Sequence, residues 1–145
     1  GEKIFSPLIP ENEADIILSF DIYETLRYAF HYAKKNTVIV SSKTGKTPAW
    51  TYKNKNNDTI KNEFVDIYSI ESDLKDNFQS LILLEDKIIA EELGNIKVSN
   101  IILIGALSVF TDIKENIWLK TIEKNVPEKT IDLNIKAFLK GKNSL

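Results

Sequence analysis

Three short, predominantly apolar runs, separated by segments of helical periodicity, predict an α/β protein: a three-layer α/β/α arrangement around a mainly parallel sheet. The runs are residues 16–20, 37–40 and 80–84. Their length and their lack of polar alternation are those of strands buried on both faces. Strands that alternate with helices build crossover units, and those units make a parallel sheet covered on each side. A chain of 145 residues fits one domain, 1–145, around a single core.

Taken in order, Lys3-Ile4-Phe5-Ser6-Pro7-Leu8-Ile9 reads as a short strand, which Pro7 confines to an edge or a strand end. After the strand at 16–20, Ile22, Leu26, Ala29, Phe30 and Ala33 recur at helical spacing, with Asp21 as N-cap and Asn36 as the end. Residues 37–40 return to strand. The stretch 41–57, with Gly45, Pro48 and a run of lysines and asparagines, predicts a long surface loop. From Asp58, the residues Ile60, Phe64, Ile67, Leu74 and Phe78 predict a helix, with a break near Ser69. A helix over 86–93 follows the third strand, closed by Gly94-Asn95.

Residues 98–110 are apolar nearly all round. Their length, a cap at Ser99 or Asn100, and the small residues Gly105, Ala106 and Ser108 favour a helix packed on both sides. Asp112-Ile113-Lys114-Glu115 has the spacing of a capping box for the next helix, which carries Trp118 and Ile122. Pro127 suits the first turn of a last helix with a buried stripe of Ile131, Ile135, Phe138 and Leu139, ended by Gly141.

Composition excludes several function classes. The net charge is −2, which leaves no electrostatic footprint for nucleic acid or an anionic membrane. Arg27 is the one arginine, so bidentate clamps on phosphate or carboxylate are nearly excluded. Without cysteine there is no thiolate for an iron–sulfur cluster, zinc or covalent catalysis. With His31 the sole histidine, most protein-only metal sites are excluded too. The longest apolar run falls far short of the roughly 20 residues that span a bilayer. No signal segment is recognisable, and the expected location is cytoplasmic. The opening Gly1-Glu2-Lys3, without methionine, leads us to expect a fragment.

Few constellations carry chemistry. Gly45-Lys46-Thr47 lacks the glycine five residues earlier, where Val40 stands, and is followed by Pro48 instead of a helix, so an ordinary turn is expected. Glu24, Arg27 and His31 share a helix face; a solvated ion pair there is favoured over an acid/base trio, with a partner contact left open. Asn95, Asn100 and Asn134 read as turn, cap and helix-face amides ahead of ligand-binding groups. No catalytic residue is assigned. Tyr28, Tyr32, Trp50 and Tyr52 have no obvious core position, and such aromatics favour interfaces; packing under the 41–57 loop is the near-even alternative. The candidate partner-contact residues are Glu24, Arg27, Tyr28, His31, Trp50 and Asn134.

Three blocks in order carry a resemblance. They are Ser6-Pro7-Leu8-Ile9-Pro10 with Glu13-Ala14-Asp15 and Glu24-Thr25-Leu26-Arg27; Ala90, Gly94-Asn95, Asn100 and Gly105-Ala106-Leu107; and Val126-Pro127, Asn134, Ala137-Phe138 and Gly141. Together they resemble the gamma-type domain of 2-oxoacid:ferredoxin oxidoreductases, with the indolepyruvate branch (its beta subunit) the most similar.

The sequence departs from that family where Ser41-Ser42 replaces a frequent asparagine, and where the family's opening Gly-x-Gly-Gly-x-Gly loop is absent. The second departure predicts that a strand–loop–helix of about 50 residues is missing. The resemblance implies oxidative decarboxylation of a 2-oxoacid to an acyl-coenzyme A with ferredoxin reduction. It also implies that a larger partner subunit carries thiamine diphosphate, Mg and the iron–sulfur clusters, leaving this chain with no cofactor. Coenzyme A and ferredoxin would be met through the complex. Pyruvate or another 2-oxoacid is an alternative substrate. A stand-alone binding or scaffold module sharing the fold is the rival from another class.

Overall fold

The computed structural model describes residues 8–46 and 66–145. Within them lies a parallel sheet of three strands, β1 (Ala14–Ser19), β2 (Ala33–Ser42) and β3 (Leu81–Leu84), in the order β1-β2-β3. Side chains alternate between its faces. Ile17, Ile39, Leu81 and Leu83 meet helices α1 (Ile22–Tyr32) and α2 (Ile67–Asn77) through Ile22, Ala29, Ile70 and Leu74. Leu18, Val38, Val40, Ile82 and Leu84 meet Leu103 and Ala106 of α4 (Ser99–Ser108) on the other face. This is the expected three-layer arrangement.

Beyond α4, the elements α3 (Asp86–Glu92), a 3-10 turn (Ile96–Val98), α5 (Glu115–Asn125), a second 3-10 turn (Glu128–Thr130) and α6 (Ile131–Lys142) complete the described order. Ala90, Val98 and Ala137 pack with Ile102 in a further cluster on the outer side of α4. The helix is therefore buried on both sides, and this accounts for its apolar circumference.

Local competition moved several predicted boundaries. The first helix ends at Tyr32, short of Asn36, because Ala33 is already extended and pairs with Ala14. Residues 34–37 are accommodated by a register shift between Ala14 and Ile16. Thr37 closes that irregularity: its hydroxyl donates to the Ala14 carbonyl at 2.6 Å and accepts from the Lys34 amide at 2.8 Å. Phe30, expected in the buried stripe, is half exposed, with its ring tilted on Phe78 at 5.1 Å. Leu8 and Ile9 are exposed and not in a strand, while the rest of the predicted first strand lies outside the described residues. The same holds for the predicted helix before Asp66. No break occurs at Ser69, which sits in the first turn of α2 with its amide on the Asp66 side chain at 3.0 Å.

Helix ends also differ. Neither Ser99 nor Asn100 caps α4; Val98 precedes it, and the Asn100 side chain accepts from the next amide, Ile101, at 3.0 Å. The Asp112-to-Glu115 box does not form: Lys114 is the N-cap of α5 with no side-chain cap, and Glu115 pairs with Lys142 of α6 instead. Gly141 is the last residue but one of α6, next to its end at Lys142. The buried face of that helix is Asn134, Ala137, Phe138 and Gly141; of the predicted stripe only Phe138 is fully buried. At Gly141 the Ile102 backbone of α4 comes too close for any side chain. Gly94 does close α3, at a left-handed φ of 85°.

Candidate functional site

In open parallel sheets, ligands gather outside the carboxyl ends of the strands. Here that end is built from Ser19, Asp21, Thr25, Ser41, Ser42, Thr44 and Asp86. Because strand side chains alternate, the adjacent serines of β2 look to opposite faces. Ser41 meets Thr25 of α1 at 2.6 Å between hydroxyls, and Thr25 also donates to the Asp21 carbonyl at 2.9 Å. Ser42 donates to the Asp86 carboxylate at the start of α3 at 2.5 Å. Both serines are fully buried, and Asp86 is 2% exposed.

Burial pushes the Asp86 carboxyl up; hydrogen bonds from Ser42, its own amide and Ser99, with the nearby Lys87 charge, oppose that without cancelling it. Asp86 went unnoticed in the sequence. The available signal was an acidic residue two places after a buried strand, level with a pair of serines ending its neighbour.

Asp21 shows why Gly45-Lys46 is a turn and not a phosphate cradle. Its carboxylate accepts from the amides of Tyr23 at 2.9 Å and Glu24 at 3.4 Å, and from Lys46 at 2.9 Å. A Cβ on Gly45 would stand 2.5 Å from Asp21 Oδ1, so glycine permits this approach. The Tyr23, Glu24 and Lys46 amides are thus already engaged by a carboxylate of the chain itself.

Lys43 lies between Glu71 at 3.2 Å and Glu85 at 3.5 Å, and Lys75 joins Glu71 at 2.6 Å. Glu71 holds the Lys43 ammonium above its ordinary value. The Glu71 carboxyl is held below its own, first by Lys75 and then by Lys43. Among the described residues, no cluster of histidine and acidic side chains could hold a metal, and no helix is long and apolar enough to cross a membrane.

The candidate contact residues fall into separate places. Glu24 and Arg27 pair at 3.4 Å on the outer face of α1. The Arg27 guanidinium lies 4.5 Å from the Tyr28 ring centroid and also donates to the Tyr28 hydroxyl; Tyr28 stacks on Tyr32 at 6.0 Å. His31 joins the end of this row, edge-on to Tyr32 at 4.5 Å, but its ionic neighbour is Glu11 at 3.5 Å, not Glu24. Asn134 is far from the row in sequence and is buried on α6, donating to the Thr130 carbonyl at 2.8 Å. Trp50 and Tyr52 lie outside the described residues.

Comparison with known proteins gives one consistent answer. A family profile described as pyruvate ferredoxin/flavodoxin oxidoreductase matches residues 1–144. Indolepyruvate oxidoreductase subunit IorB of Thermococcus kodakarensis is 33% identical over 143 residues, covering 97% of this chain and 68% of that protein. The protein of the same name from Pyrococcus horikoshii is 30% identical over 142 residues, covering 95% and 66%. That from Archaeoglobus fulgidus is 28% identical over 140 residues, again covering 95% and 66%. The chain thus spans about two thirds of the length of these relatives.

Proposed function

The chain belongs to the pyruvate ferredoxin/flavodoxin oxidoreductase family, and on that footing we propose that it is a non-catalytic part of an indolepyruvate-type 2-oxoacid:ferredoxin oxidoreductase. The observation that carries this reading is the match of nearly the whole chain to three proteins each named as an oxidoreductase subunit. The proposed reaction is oxidative decarboxylation of a 2-oxoacid, yielding carbon dioxide and an acyl-coenzyme A and passing electrons singly to ferredoxin. In such enzymes thiamine diphosphate supplies the carbanion chemistry and iron–sulfur clusters the electron path.

The side chains among the described residues do not fit either group. A cluster needs thiolates, and the sequence has no cysteine. A diphosphate needs free amides or a cation pair, whereas among the described residues the Lys46 amide is taken by Asp21 and Lys43 is committed to Glu71 and Glu85. No chemical step is therefore assigned to this chain. Its proposed contribution is surface, with a larger thiamine- and cluster-bearing subunit as partner.

Pyruvate, named in the family description, is the alternative substrate, selected by the partner's pocket. Reconstitution tests the reading. The larger subunit and this chain, co-purified, should reduce ferredoxin in the presence of indolepyruvate and coenzyme A, and neither should do so alone. Full turnover by the larger subunit without this chain would overturn it.

A further inference from the structure

We draw no further inference here: the strongest candidate, the surface patch of exposed apolar side chains that runs from Val109 and Phe110 after α4 to Ile113 and Ile117 at the start of α5, carries nothing because nothing in the structure shows what covers it.

Discussion

The carbonyl oxygen of Phe138 on α6 occupies the space that a side chain on Gly105 of α4 would need, and Ile102 of α4 blocks Gly141 of α6 in the same way. The two helices thus meet backbone to backbone through a reciprocal pair of glycines, and each contact involves main chain that cannot swing aside. Gly105→Leu should lower stability by at least the ~1–3 kcal/mol typical of overpacking, and Gly141→Ala should be destabilising as well. Thermal melts decide: wild-type melting of either variant would show that α4 and α6 are not in register as described.

Asp86 and Glu71 should impose opposite pH dependences on stability. Asp86 has a folded-state affinity for its proton above that of the unfolded chain. Its contribution is full below the ordinary carboxylate range and is lost as pH rises through the folded value. Glu71 is shifted down by Lys75 and Lys43, so its contribution is present above that range and lost as pH falls through the folded value. Urea unfolding across pH should therefore show Asp86→Asn as stable as wild type or more so near neutrality, and Glu71→Gln less stable. A Asp86→Asn protein weaker than wild type at neutral pH, with wild-type pH dependence, would contradict the sign.

The outer row of α1 is a candidate contact surface. Tyr28→Ala should weaken co-purification with the larger subunit while leaving the melt of the isolated chain nearly unchanged, since the ring is 40% exposed. The reverse pattern, a destabilised chain that still assembles and turns over normally, would return Tyr28 to the core.

Calorimetry on the pure chain with thiamine diphosphate and magnesium should register no heat of binding. Micromolar affinity would transfer part of the catalytic machinery to this chain and defeat the proposed division of labour.

The sequence patterns that survived are those in which a single physical preference dominates. The strand cores at Ile17, Ile39 and Ile82, the Asp21 cap and the Gly94 stop were all legible, because burial, capping and a left-handed φ each leave a local mark. Where tertiary contact competes with local preference, the reading failed. Residues 33–36 suit a helix but belong to β2 instead, with Ala33 paired to Ala14 and the rest in the register shift, and Gly141, read only as a helix end, also serves a crossing. Glu115 was better placed to reach Lys142 than to complete a capping box. Asp86 was invisible for a different reason: its partners are 44 residues back in the chain, at Ser42, and beside it only after β2 and β3 have paired.

The burial of α4 on both sides has a consequence for biosynthesis. One side is covered by strands made earlier, but the other waits for α6, which begins 23 residues after Ser108 (131 − 108). While the ribosome is still adding those residues, Ile102 and its neighbours have only half their shelter. During that interval the nascent chain displays a helix with no polar side to turn toward water. Nascent chains halted before Ile131 should accordingly cross-link to holdase chaperones, and those extended past Lys142 should be released.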